Sequence, residues 1–274
     1  MTLRLALIGF GEVGTIFGTD LLANGASAVA TYDILFDDRE RRDAYRNKAQ
    51  SAGVAACNDA RSACEGADIV ISAVTASAAE EVATAAGGYL APGQIFFDIN
   101  SAAPSTKQRS ARALERSGAL YVEGAVMAPV PPQRLKVPIL AGGAAAVTTA
   151  DRLNALGMAI RPVATEIGRA SATKLCRSIM IKGIEALIVD CARACKLHGV
   201  EADVFASLVA TFPGNDWRTL ATHMAGRVRQ HGIRRAAEMR EAAEMLADLG
   251  LDPALCRAVA DAQERGAGSQ DSAT

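Results

Sequence analysis

A chain of 274 residues that is 50% hydrophobic, 4% aromatic and near neutral, with a formal net charge of −1, can bury one large core or two smaller ones. That balance excludes the electrostatic footprint of a nucleic-acid or acidic-membrane binder, and no stretch runs long enough without polar interruption to span a bilayer. The expected partner is a small molecule and the expected compartment the cytoplasm, because the apolar run in "MTLRLALIGFG" is too short for a signal peptide.

The first part of the chain alternates short apolar runs with helical patterns. "LRLALIG", "SAVATYD", "ADIVISAV" and "QIFFDIN" read as strands buried on both faces, and helical stretches lie around 13–24, 38–52, 59–65, 77–87 and 105–117. This order predicts an α/β fold with a mostly parallel sheet covered by helices on both sides. "LYVEGAVM" and "VPILAGG" are further strands flanking a turn or loop at "APVPPQR", and "IRPVAT" is the last. From Gly168 the pattern becomes helical, beginning with about thirty proline-free residues, roughly 45 Å of helix. Helices follow at 201–211, 216–230, 233–249 and 252–264, punctuated by "FPGND", "HG" and "GLDP". The expected division is therefore 1–165, a dinucleotide-binding Rossmann-type domain; 166–265, a helical domain; and 266–274, a small polar tail expected to be disordered. The six cysteines form no C-x-x-C pair and fall mostly in apolar helical patterns, as reduced core thiols do; no metal site is expected.

The expectation of a dinucleotide rests on "IGFGEVG", residues 8–14, in its setting. A strand leads into Gly9, Gly11 and Gly14, a helix and a second strand follow, and Asp33 stands nineteen residues after Gly14, where an acid can bond an adenosine ribose. Gly9 permits the turn, Gly11 admits a pyrophosphate and Gly14 lets helix and strand pack, so Gly9, Phe10, Gly11, Glu12, Val13 and Gly14 form the cofactor set, with the Glu12 side chain pointing outward. Asp33 would repel a 2′-phosphate and so favours NAD; Arg39, Arg41 and Arg42 leave NADP open, although their acidic neighbours suit a solvated helix face.

Ligands on such a sheet lie beyond the carboxyl ends of the strands. In "SAVTAS", Val74 and Thr75 can line the nicotinamide ribose or cap a helix; in "DINSAAPSTK", Asn100 and Ser101 can grip a substrate carboxylate or cap the next helix. On the long apolar helix, Lys174, Ser178, Lys182 and Glu185 form one polar stripe, which needs partners or a cavity. A desolvated lysine there can accept a proton, though a helix lysine is more often salt-bridged or snorkelling.

At these residues the sequence resembles the β-hydroxyacid dehydrogenase superfamily, which includes 6-phosphogluconate and 3-hydroxyisobutyrate dehydrogenases. "GFGEVG", "DINSAAP", "VEGAVMAP" and "IGRASATK" align in order with its cofactor motif, D-x-[SN]-[ST]-x-x-P, D-A-P-V-S-G-G and G-x-G-x-x-x-K. The resemblance implies that Lys174 is the general base, that Asn100 and Ser101 hold the substrate carboxylate, and that the protein is a dimer or higher oligomer through its helical domain. Met127, Ala128 and Pro129 replace Ser-Gly-Gly, and Ser178 replaces the usual Asn, so Met127 and Ser178 alter the substrate side of the pocket. Arg177, Arg234, Arg235 and His231 are candidates for an anionic end of the substrate, although surface arginines more often cap or decorate a helix. The region from "TFPGNDW" onward resembles an uncharacterised phosphogluconate dehydrogenase-like subgroup.

The implied reaction is NAD(P)-dependent oxidation of a small hydroxy acid, a 3-hydroxy acid by preference, with decarboxylation to follow if the carboxylate lies β to the new ketone. Two alternatives stay open. One is reduction of an imine or ketone with Tyr121 or Asp216 as proton donor; the other is a non-catalytic nucleotide-binding module.

Overall fold

The computed structural model describes residues 3–268. They divide into two compact units, one ending at Lys174 and the other beginning at Leu175. The first unit holds an eight-stranded sheet: β1 (Arg4–Ile8), β2 (Ala28–Tyr32), β3 (Ala55–Ala56), β4 (Ile69–Ser72), β5 (Ile95–Asp98), β6 (Leu120–Val126), β7 (Pro138–Gly142) and β8 (Ala159–Ala164). Their spatial order is β3-β2-β1-β4-β5-β6-β7-β8, parallel throughout except where β6 meets β7. Helices α1 (Glu12–Ala23), α2 (Arg42–Ser51), α3 (Ala60–Cys64), α4 (Ala79–Ala86), α5 (Pro104–Leu114), α6 (Val130–Gln133) and α7 (Ala146–Asn154) complete it.

The apolar runs are continuous because the sheet is covered twice. Leu5, Leu7, Ile69, Ile71, Ile95 and Phe97 pack with Phe17 and Leu21 of α1 in one core, while their neighbours Ala6, Ile8, Val70 and Phe96 pack with Cys64, Ala83 and Leu114 in the other. With strand residues alternating between faces, each face needs apolar side chains of its own. The predicted mostly parallel sheet is present. The two-residue β3 and helix α7 lie outside the expected elements, and the proline-rich segment contains the single turn of α6. The expected boundary near 165 marks the end of the sheet, whereas the compact units divide inside α8 (Arg169–His198).

The second unit consists of the remainder of α8 with α9 (Glu201–Thr211), α10 (Trp217–Asp248) and α11 (Ala254–Gly266). The expected break at "HG" is corrected: 216–230 and 233–249 are one helix of 32 residues passing through His231 and Gly232. Packing explains the glycine, since a Cβ on Gly232 would lie 2.2 Å from the Gln263 carbonyl oxygen of α11. Gly266 of α11 is as tightly placed, its Cβ falling 2.4 Å from Val228 of α10. Among the described residues no helix is long and apolar enough to cross a membrane. All six cysteines are free thiols; Cys64, Cys195 and Cys256 are buried, but Cys176 is exposed, against the expectation of core thiols. Of the tail expected from 266, Gly266 is helical, and 269–274 lie outside the described residues.

Candidate active site

The glycines of the first turn differ in what constrains them. Gly9 takes φ +94°, a conformation that L side chains rarely adopt, and a Cβ there would lie 2.4 Å from the Ala73 carbonyl oxygen. A Cβ on Gly14 would lie 2.2 Å from the Gly9 carbonyl oxygen. Gly11 has no neighbour within 4 Å of that position, and it caps α1 without any side-chain bond to the helix N–H groups. Packing therefore dictates Gly9 and Gly14 but not Gly11, whose open face adjoins the positive end of a helix. A pyrophosphate fits that opening. Glu12 is exposed, as expected, and Val13 is half-buried; the Phe10 side chain is core, so Phe10 offers only its backbone.

Asp33 is buried at the exit of β2. Its Oδ2 accepts from Phe10 N at 2.6 Å and its Oδ1 from Leu35 N at 2.9 Å, tying the second strand to the glycine turn. Arg41 pairs at 3.8 Å with Asp38, and Arg42 Nε donates to the Phe36 carbonyl at 2.9 Å, while Arg39 is exposed. Sequence pattern did not single out Lys48. Its ammonium, on α2, lies 3.3 Å from the carbonyl oxygens of both Phe10 and Gly11 and brings a positive charge to the turn.

At the exits of β4 and β5 the Asn100 amide is engaged within the protein. Its Nδ2 donates to Ser72 Oγ at 3.0 Å and Asp98 Oδ1 at 2.7 Å, and its Oδ1 accepts from Val74 N at 2.7 Å. Both amide hydrogens are thus committed within the protein, leaving no donor for a substrate carboxylate. Ser101 Oγ, by contrast, makes no hydrogen bond among the described residues. Thr75 is exposed and its hydroxyl sits 3.1 Å from Ser77 Oγ.

The start of α8 is held by a residue that the aligned motif contains but that was not singled out. Glu123, fully buried on β6, accepts from Gly168 N at 2.7 Å, Ala170 N at 2.9 Å and Ser171 N at 3.2 Å, and from Ser171 Oγ at 2.7 Å. An anion at the positive end of a thirty-residue helix fixes where that helix begins. Lys174, half-buried, follows Ser171 by one turn on the same face. Met127 donates its N–H to the Pro138 carbonyl at 2.9 Å and packs against Ala125, Leu140 and Ala170.

In the second unit the polar stripe of α8 finds partners. Lys182 Nζ lies 2.7 Å from Glu238 Oε2 and donates to Ser178 Oγ at 3.1 Å; Glu185 pairs with Arg235 and, at 3.3 Å, with Arg227. Burial pushes the Lys182 ammonium below its ordinary pKa, and Glu238 opposes that shift. Arg234 is exposed and bonded to Glu238 one turn along its own helix, as a surface arginine decorating a helix is, whereas Arg235 is buried and paired with Glu185. Arg177 is exposed and His231 half-buried. The two alternative proton donors are also engaged. Tyr121 donates to Asp98 at 2.6 Å, with burial and that carboxylate raising its pKa well above the ordinary value. Asp216 caps α10 through Thr219, whose hydroxyl and N–H hold its pKa low.

Comparison with known proteins follows the same two halves. Residues 4–102 match the family described as NADP oxidoreductase coenzyme F420-dependent, and 196–266 match a domain of unknown function, DUF1932. Over its whole length the chain is 39% identical to a conserved hypothetical protein of Sinorhizobium meliloti, covering 92% of that chain with a TM-score of 0.85. It is 30% identical to a conserved protein of unknown function whose structure was described as similar to 3-hydroxyacid dehydrogenases, over 96% of this chain and 98% of that one, with a TM-score of 0.77. A 3-hydroxyisobutyrate dehydrogenase of Mycobacterium tuberculosis, 17% identical, shares the fold at a TM-score of 0.79 over 97% of this chain and 94% of its own.

Proposed function

This chain belongs to the β-hydroxyacid dehydrogenase superfamily, and from that membership we propose that it oxidises a small hydroxy acid, a 3-hydroxy acid by preference, with Lys174 as the general base. The observation that carries this is the start of α8, where Glu123 fixes four donors and so fixes the helix turn that presents Lys174. Lys174 takes the hydroxyl proton as the C–H bond on the same carbon breaks and the carbonyl forms. A nicotinamide dinucleotide, when bound, supplies the hydride acceptor. The open face of Gly11 and the uncapped end of α1 would hold its pyrophosphate, with the Lys48 charge nearby. An acid directly after β2, Asp33, would repel a 2′-phosphate, which supports a preference for NAD. With Asn100 committed, Ser101 is the remaining hydroxyl at the β5 exit for the substrate carboxylate.

Absorbance of reduced nicotinamide, followed with NAD and with NADP over a panel of 2- and 3-hydroxy acids, tests this. Turnover of one acid with NAD ahead of NADP is expected; no turnover of any acid with either cofactor would refute it.

The helical unit is also proposed as a homo-oligomer surface. Met180, Ile184 and Leu187 are 63%, 39% and 72% exposed and recur at helical spacing on α8, an apolar stripe that a second copy would cover. Leu187→Glu should shift the protein to a smaller species in light scattering; an unchanged mass would remove that face from the interface.

A further inference from the structure

The exits of β4 and β5 are joined by a buried polar chain that neither strand needs for its own pairing. It begins at Lys107 on α5, whose side chain is fully buried. Its Nζ lies 2.8 Å from Asp98 Oδ1 and donates to the Asp98 carbonyl oxygen at 3.0 Å. The same Oδ1 accepts from the backbone N–H of Asn100 at 2.9 Å and from its side chain at 2.7 Å, while Oδ2 accepts from Tyr121 at 2.6 Å. Asn100 then reaches across to β4, donating to Ser72 Oγ and accepting from Val74 N.

A buried ion pair is seldom a better stabiliser than apolar side chains of the same volume, so stability alone does not account for a lysine here. What the charged pair adds is direction. Lys107 and Tyr121 fix both carboxylate oxygens of Asp98, Asp98 fixes the amide plane of Asn100, and that amide fixes the N–H of Val74. One residue before Val74, the Ala73 carbonyl presses on the glycine turn at the place where a Gly9 side chain would stand. The Ala73 N–H is itself bonded to the Ile8 carbonyl at 2.8 Å. A shift of the 73–75 segment would therefore be passed directly to the turn that precedes Gly11.

We propose that Asp98 is a hub locking the two strand exits and the glycine turn into one piece, which makes Lys107 and Asn100 positioning residues for dinucleotide binding. This rests on the dinucleotide site proposed above. Neither residue needs to touch the cofactor; both act through Val74 and Ala73.

The test compares the wild type with Asn100→Ala, which keeps the Lys107–Asp98 pair and removes the strap, and with Lys107→Met. NADH and NADPH are titrated by fluorescence, and amide hydrogen exchange is followed in the peptide containing 73–75. Asn100→Ala should unfold cooperatively, weaken the better-bound cofactor about tenfold, and speed exchange at 73–75. Lys107→Met, where folded, should do the same; if it does not fold, Asn100→Ala carries the test. A merely structural role would lower the melting temperature while affinity and exchange at 73–75 stayed unchanged, and that result would overturn the proposal. Should the wild type bind neither cofactor, the dinucleotide site fails and the positioning proposal falls with it, while faster exchange in Asn100→Ala would still show the strap holding the segment.

Discussion

Gly9, Gly11 and Gly14 are alike in the sequence and separable by substitution. Gly9→Ala forces a side chain into a positive-φ position and against the Ala73 carbonyl, so it should cost at least about 1–3 kcal/mol in urea unfolding. Gly11→Ala meets nothing in the protein and should leave stability within about 0.5 kcal/mol, yet weaken NADH binding because its methyl occupies the open face. Equal stability losses in the two variants would contradict the assignment of that face to a ligand. The spacing of these glycines and Asp33 was legible because all lie in one continuous strand-turn-helix-strand segment. Lys48 and Glu123 were not legible as site residues, since their partners are fixed by the tertiary fold: Glu123 meets Gly168 across 45 positions, and Lys48 meets Gly11 across 37. Asn100 shows the converse, a motif residue whose local pattern is right while its amide is claimed by β4.

Among the elements, α10 carries the clearest lesson about punctuation. His231-Gly232 reads as a stop, but glycine serves there as the contact point with α11. Gly232→Ala should therefore destabilise, through a Cβ 2.2 Å from the Gln263 carbonyl oxygen. Gly226→Ala, on the same helix with only Arg229 at 4.0 Å, should stabilise by up to about 1 kcal/mol. Thermal melts of the two variants check this; a stabilised Gly232→Ala would mean the helices can part without cost. Strands buried on both faces were readable as continuous apolar runs, and α8 and α9 as proline-free periodic stretches. The two-residue β3 carries too little sequence to register, and the single turn of α6 sits where prolines suggest only a loop.

At the scale of the whole molecule, burial of ionisable groups sets an alkaline limit. Burial pushes the Cys64 thiol from 9.0 up to about 12, and Tyr32, half-buried and bonded to Asp37, rises from 10.0 to about 12. The folded chain keeps protons that the unfolded chain loses above those ordinary values, so this stability is fully present below pH 9 and is lost as pH rises toward 12. Cys64→Ala should flatten the first part of that decline, between pH 9 and 10, in urea unfolding followed against pH. An unaltered slope would show that the thiol ionises equally in both states. The two-part organisation was legible as a whole because alternating strands and helices give way to helices alone, although the compact units divide inside α8, where periodicity is unbroken.

The central claim is that Lys174, set by Glu123 at the start of α8, is the base in a nicotinamide-dependent oxidation. The most direct measurement is single-turnover reduction of NAD with the best hydroxy acid of the panel, in the wild type and in Lys174→Ala, with NADH affinity measured in both. A fall in rate of about a hundredfold or more, with NADH binding retained, is the predicted result. An undiminished rate in Lys174→Ala would contradict the account.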